Sequence, residues 1–362
     1  MAVTSGYVPD YKISVGGEDL RLGFNADILS LSVTDNCNSA DSFTFSLRER
    51  HPESGRFAGG AKLKWFDSGT FREGGEVSIE LGFRGAKMQT FKGVITSVSL
   101  SFPETGTPTL TVQGRSLYDR LLNQCETLSF ENKTDSDMAK KIAETRKLSA
   151  KVQATSTKYP LVSSGNDTYA AFLQKRAERI GYELVVKDDT LYFELPAYLT
   201  GAGPELTLEW GVNLKSFTPT LSTYRKVTHV KVRAAQTSLG RGKEPIEGTA
   251  DPGGERGKLG KKSASEIAEG INGKNEQVVD DHLATTQEEA ELLAKAKLEA
   301  SSIEFITGRG ACDGNPKLKA RTVVAIKGVG ETFSGNYYVT SATHSIDGSG
   351  YRTTFEVKRN GR

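Results

Sequence analysis

The chain has 362 residues, 36% hydrophobic and 25% charged, and its 47 Lys and Arg stand against 45 Asp and Glu for a net charge of +2. That length exceeds what one core fills, so roughly two to four domains are expected, and the balanced charge gives no electrostatic case for nucleic acid or a membrane surface as partner. The opening MAVTSGYVPDY lacks the basic and apolar regions of a secretory signal, and the longest apolar runs are tetrads such as Val323–Ile326, too short to insert in a membrane. Three cysteines (Cys37, Cys125, Cys312) with no C-x-x-C spacing predict free thiols in a protein made in the reducing bacterial cytoplasm.

Residues 1–120 predict a first antiparallel β-barrel-like module. Tyr11–Val15 alternates apolar and polar, Gly16-Gly17 turns the chain, and Leu29–Val33 and Phe43–Leu47 alternate again around a polar turn at Asp35–Asp41. Period two in consecutive strands gives one buried and one solvated face. Residues 121–205 change period and predict a small α/β domain. One helix covers Asp135–Leu148, with Met138, Ala139, Ile142 and Ala143 on one face. A second starts near Asn166-Asp167, carries Tyr169, Phe172, Leu173, Ala177 and Ile180, and stops at Gly181. A hairpin through Tyr182–Val186, Asp188-Asp189 and Leu191–Phe193 completes it.

The β pattern returns over 206–235 and is interrupted by a polar Gly/Lys-rich insertion, 236–285, which predicts a mobile loop with one short helix after Ser263. Deleting about 245–262 is expected to leave the fold intact, since such a loop adds little core. A helix over Thr286–Ser301, with Thr286 and Glu289 spaced for a capping box, leads into the rest of a second β-barrel-like module, 206–235 plus 286–362. The expected fold class is therefore α+β, mainly β.

The two modules share a pattern. Residues 74–116 carry Val77 and Ile79 before Gly82, then Thr90-Phe91-Lys92-Gly93, then Thr96-Ser97, then Leu110 and Val112. Residues 319–362 carry Val324 and Ile326 before Gly328, then Thr332-Phe333-Ser334-Gly335, then Thr340-Ser341, then Phe355 and Val357. Gly82, Phe91, Gly93, Gly328, Phe333 and Gly335 are the expected structural repeat positions, and a duplicated β-module points to architecture more than to a catalytic pocket.

Signals for chemistry are weak. Gly257-Lys258 and Gly260-Lys261 are not followed by Ser or Thr and lack the first glycine of a phosphate loop. His51, His229, His282 and His344 show no metal-ligand spacing, and no G-x-S-x-G elbow occurs. The acidic pairs Asp188-Asp189, Asp280-Asp281 and Glu288-Glu289 fit turns and a helix start. No catalytic, metal-ligating or cofactor-binding residue is therefore expected. Two alternatives stay open: a β-rich peptidoglycan or glycan hydrolase, whose carboxylates can be distant in the chain, and a carbohydrate-binding tail module, although only Trp65 and Trp210 offer indole platforms.

Taken together, Gly114-Arg115-Ser116-Leu117-Tyr118-Asp119, the run Asp167 to Phe172-Leu173 to Arg176 to Ile180-Gly181-Tyr182 with its Leu191–Phe193 hairpin, and Phe333-Ser334-Gly335 through Tyr337, Val339 and His344 to Gly350-Tyr351 and Thr353 resemble the phage late control D family. These are the baseplate central hub proteins of contractile tails and injection systems. The resemblance spans nearly the whole chain except 236–285. It implies a homotrimeric ring joining a hexameric tail tube, or a tube initiator, to a trimeric central spike, with baseplate wedge proteins as further neighbours and assembly into the baseplate of the particle. A trimer of doubled modules offers six similar faces to a six-fold tube while keeping three-fold symmetry for the spike. Type VI spike relatives continue into a needle whereas this sequence stops at Arg362, which implies that the spike is a separate polypeptide.

Overall fold

The computed structural model describes residues 8–20, 27–49, 62–85, 89–122, 127–224, 226–234, 246–281, 284 and 286–362. The first module holds β1 (Pro9–Val15), β2 (Glu18–Asp19), β3 (Ile28–Asn36), β4 (Ser42–Arg48), β5 (Glu76–Phe83), β6 (Gln89–Ser101) and β7 (Thr109–Ser116). Alternation decides what each strand buries: Leu31 and Val33 from β3, Phe43, Phe45 and Leu47 from β4, Val77 and Ile79 from β5 fill one core. Each such side chain contributes about 1.5–3 kcal/mol by leaving water.

The middle of the chain holds α1 (Asp119–Leu122), β8 (Ser129–Thr134), α2 (Asp135–Thr145), β9 (Ser149–Val152), β10 (Lys158–Ser163), α3 (Tyr169–Ile180), β11 (Glu183–Lys187) and β12 (Thr190–Glu194). Thr134 and Asp137 form a reciprocal capping box at the start of α2. The N-cap of α3 is Thr168, one residue beyond the predicted start, and Gly181 ends it in the left-handed conformation, φ 69°.

Then follow β13 (Leu206–Glu209), β14 (Leu214–Leu221), β15 (His229–Ala234), β16 (Glu247–Ala250), α4 (Ala264–Asn272), β17 (Glu276–Asp281), α5 (Gln287–Ser302), β18 (Ile306–Asp313), β19 (Val323–Lys327), β20 (Gly335–Asp347) and β21 (Gly350–Arg359). One 13-stranded sheet runs β14-β18-β21-β20-β3-β4-β7-β6-β5-β1-β2, with β19 on β20 and β13 on β19. Both modules are thus parts of a single sheet, joined where β3 pairs antiparallel with β20.

Two expectations are corrected. The expected helix after Ser263 is present as α4, capped by Ser263, but the rest of residues 246–281 is not a loop: it supplies β16 and β17, which flank β15 in a separate three-stranded sheet. Few apolar residues suffice because the segment is fastened by polar bonds. Glu255 accepts from the Ser265 and Ser302 hydroxyls, Arg256 forks onto Glu299, and Leu259 N–H donates to Asn360. Secondly, Val230 and Val232 of β15 and Ala290, Leu293 and Leu298 of α5 pack into the core of the middle α/β region, not into the second barrel. That barrel's core takes Ala264 and Ile267 of α4 instead.

Candidate assembly interface

From β14 to β6 the sheet turns one face to its cores and the other outwards. Strand register lines up the outward side chains in rows. One row is Ser216, Ala311, Thr354, Thr343, Thr34, Ser42, Arg115. The next is Asp313, Arg352, Ser345, Ser32, Thr44, Gln113, Ser97. The face is dominated by short hydroxyls, tied across strands by Thr34–Thr343 at 3.0 Å and Ser46–Thr111 at 3.2 Å, with Arg309–Glu356 as an exposed ion pair at 2.8 Å. A shallow depression of about 510 Å³, lined by Ser216, Thr218, Arg309, Thr343 and Thr354 among others, lies on its second-module half. A surface of Ser and Thr on a strand scaffold suits broad docking or passage, not acid–base chemistry.

The modules are built on one plan. In the first, β5-β6-β7-β4-β3 are successive neighbours; in the second, β19-β20-β21-β18-β14 are. The register of β6 slips between Ile95 and Ser97, and that of β20 between Val339 and Ser341, so Thr96 and Thr340 are matching bulges. Each bulged threonine donates its hydroxyl to a carbonyl of the next strand, Gln113 or Glu356. Ile95 exchanges backbone bonds with Gly74 and Gly75, and Val339 does so with Arg321 and Thr322. The two residues that bend the chain there, Gly74 and Arg321, are both left-handed, at φ 78° and 68°.

The middle region is bolted to both modules by buried charge. Asp35 of β3 accepts from Lys187 of β11 at 3.0 Å and from Ala320 N–H at 3.2 Å, so one carboxylate touches all three parts. Burial, with Asp35 beside it, pushes the Asp41 carboxyl up to about 8. The Tyr338 hydroxyl donates to Glu183 from 2.6 Å, and Arg321 spans Glu183 and Glu194; burial raises Glu183, opposed by those same partners. Under α3, Asp135 pairs with Arg176, while Arg179 reaches Asp281 and Glu289 and donates to the Tyr159 hydroxyl. Glu289 is therefore spent on Tyr159 and Arg179, and the cap of α5 is the one-sided bond from Glu289 N–H to Thr286.

A family model described as the Alg8 N-terminal domain matches residues 5–348. The chain belongs to that family. No curated protein matches it. Among solved structures it is similar to the 43 kDa tail protein of prophage MuSo2 from Shewanella oneidensis, at 14% identity and TM-score 0.71 over 97% of this chain and 98% of that one. It is similar to the tail protein from Neisseria meningitidis MC58, at 17% identity and TM-score 0.68 over 98% and 97%. It is also similar to the Escherichia coli c3393 protein, described as a component of the type VI secretion system with structural similarity to T4 bacteriophage tail proteins gp27 and gp5, at 11% identity and TM-score 0.57 over 96% and 76%. These likenesses establish the fold.

In this member of the Alg8 N-terminal domain family the six expected repeat positions occupy two registers. Gly93 faces Val77 across β5–β6, whereas Val324 faces Tyr337 and Ile326 faces Gly335. Tyr337 is thus the partner-equivalent of Gly93, and Gly335 that of Phe91, a two-residue shift from the pattern in the sequence. Phe91 is buried in the first core, while Phe333 lies in the turn before β20, half-buried against the second. Gly82 pairs with Asp10 inside β5, whereas Gly328 follows β19 at φ 77°. At Gly335, the counterpart of Phe91, the room a side chain would take is held by the Arg359 guanidinium, 2.8 Å from where a Cβ would stand.

His344 is fully buried, bonded to the Tyr351 hydroxyl at 2.8 Å and the Leu318 carbonyl at 3.0 Å; burial lowers it to about 4, so it stays neutral. His229 contacts Thr228 at 2.9 Å, and His51, His282 and Cys125 lie outside the described residues. Burial pushes the Cys37 and Cys312 thiols up to about 12. Among the described residues no cluster of His, Cys, Asp and Glu is placed to hold a metal, and no helix is long and apolar enough to cross a membrane. The Thr-Ser doublet shared by the two modules marks the bulge, and the functional residue that no sequence pattern pointed to is Arg321, which carries the lock.

Proposed function

We propose that the chain is the structural hub of the baseplate of a contractile tail or injection system. It forms a homotrimeric, pseudo-six-fold ring between a hexameric tail tube and a trimeric spike, and it performs no catalysis. One observation carries the reading: two modules of the same plan, with the same bulge and the same left-handed bend, are fused edge to edge in one sheet through β3 and β20. A doubled module turns three subunits into six repeating faces, which is the geometry needed to match a six-fold ring to a three-fold one. The likeness to proteins named as tail proteins, and to one named as similar to gp27 and gp5, supports the same placement.

The hydroxyl face suits the channel side of such a ring. Short, mostly uncharged side chains hold water without gripping a passing polymer, and the charged locks all lie on the opposite, core side of the sheet. The test is absolute mass by light scattering, alone and with purified tube subunit and spike. A trimer, or a monomer converted to a trimer by the spike, is expected; a monomer indifferent to both would overturn the reading.

A further inference from the structure

The eight-strand face ends in two edges, and each matches a strand that is already joined inside the chain. Gln113 and Glu356 occupy matching places beside the two bulges, pairing with Ser97 and Ser341. Following the ladders outward from them makes Ser32 of β3 the counterpart of Thr218 of β14, and Ser97–Ser101 of β6 the counterpart of Ser341–Ser345 of β20. Inside the chain β3 pairs with that half of β20. Among the described residues Phe217–Leu221 pair only with β18, and Ser97–Ser101 only with β7.

Resting on the hub reading, we infer that β14 of one copy pairs antiparallel with Ser97–Phe102 of the next copy, repeating the β3–β20 joint between subunits. The internal register transfers directly. Ser97, Ser99 and Ser101 meet Ser222, Thr220 and Thr218, hydroxyl against hydroxyl, as Thr343 meets Thr34 at 3.0 Å. On the other face Val98, Leu100 and Phe102 meet Leu221, Pro219 and Phe217, apolar against apolar. Val98 and Leu100 pack only partly against the first core, Phe217 and Leu221 only partly against the second, and Phe102 is 58% exposed.

Neither segment, Ser97–Phe102 or Phe217–Ser222, contains a charge. Charge-free, apolar-alternating edges invite indiscriminate pairing unless something covers them, and these two are complementary to each other position by position. Pro219 lacks an N–H, so this joint keeps one donor fewer than β3–β20 and is less receptive to a strand that lacks the matching side chains. The contact is head to tail, one edge of a copy against the other edge of its neighbour, the type that closes into a ring when the rotation fits.

The test is a disulfide across the joint in the full-length chain, with Cys125→Ser to remove a background thiol. Ser99→Cys and Thr220→Cys, placed together in one chain and mildly oxidised, should give covalent oligomers up to the ring on a non-reducing gel. The two single variants should give no link alone and only dimers when mixed. A mismatched pair, Ser97→Cys with Thr218→Cys, should link far less. A protein with the mass of a ring but no cross-link would overturn the joint and leave the hub reading standing. A monomer without cross-links would overturn both. Links formed by a single variant alone, or equally by the mismatched pair, would mean a different contact and overturn the joint.

Discussion

Arg321→Gly sets two opposed terms against each other at one residue. Arg321 sits at φ 68° where its counterpart in the first module is Gly74 at φ 78°. A side chain in that region costs about 1 kcal/mol or more, so glycine relieves strain, though it loses about 0.4–1 kcal/mol through a freer unfolded chain. Against this stands the guanidinium, with Nη2 2.6 Å from Glu194, Nε 3.5 Å from Glu183, and its plane over the Tyr192 ring at 5.2 Å. Removing one partner of a buried pair costs about 3–5 kcal/mol. Here the Tyr338 hydroxyl remains on Glu183, which also escapes part of the penalty by binding a proton, so roughly 1–3 kcal/mol of net destabilisation is expected at pH 7.

The pH dependence checks the cause. Burial already holds Glu183 above its ordinary value, and losing Arg321 raises it further. A carboxyl raised on folding contributes stability that is complete below its unfolded pKa and lost as pH rises through its folded one. The deficit of Arg321→Gly should therefore shrink on going from pH 7 to pH 5. Urea unfolding followed at the first transition measures both. A variant as stable as the parent at pH 7, or a deficit that grows towards pH 5, would refute the argument that the guanidinium outweighs the bend.

Gly310→Ala places a methyl 2.4 Å from the Phe355 ring and should cost about 1–3 kcal/mol; Phe355→Leu in the same chain should recover part of it, a coupling of at least about 0.5 kcal/mol in a double-mutant cycle. Asp41→Asn should leave stability unchanged near pH 4 and exceed the parent by pH 8, because a carboxyl raised to about 8 loses its contribution across that window while the amide keeps the Asn36 N–H bond; parallel pH profiles would count against it. Deleting residues 246–262 should now destabilise the protein, since it removes β16 and the Arg256–Glu299 and Leu259–Asn360 contacts; unchanged melting would restore the loop reading.

What the sequence made legible was local. Alternation in Leu31, Val33, Phe43 and Phe45, the 3.6-residue spacing of Met138 to Ala143, and Gly181 as a stop are statements about neighbours in the chain, and short-range sterics decide them. What it hid was long-range. Pairing of β3 with β20 spans more than 300 residues, and neither its Ser and Thr pairs nor the apolar alternation of Leu31 and Val33 opposite Ile346 and His344 says which distant strand is the partner. The insertion is hidden for another reason: its order rests on Glu255 and Arg256 meeting Ser302 and Glu299 of α5 and on Leu259 N–H meeting Asn360 after β21, so its composition alone looks solvated.

The repeat itself explains why the pattern in the sequence and the register of the strands differ by two residues. Across β4–β7 the first module sets Phe43 against Gly114 and Phe45 against Val112; at the matching places the second sets Gly308 against Val357 and Gly310 against Phe355. Large side chains have changed strands: the two rings of β4 give way to glycines on β18, and a ring stands on β21 where β7 has Val112. A methyl on Gly114 would strike the Phe43 ring, and methyls on Gly308 and Gly310 would strike Phe217 and Phe355. Side chains could drift in this way because each core needs only to be filled. The bulge at Thr96 and Thr340 and the bend at Gly74 and Arg321 could not, because they set the angle at which a module meets its neighbour. The proposed ring would constrain that angle in both copies at once, so on that reading the backbone features, not the apolar residues, are the part of the duplication that assembly would hold fixed.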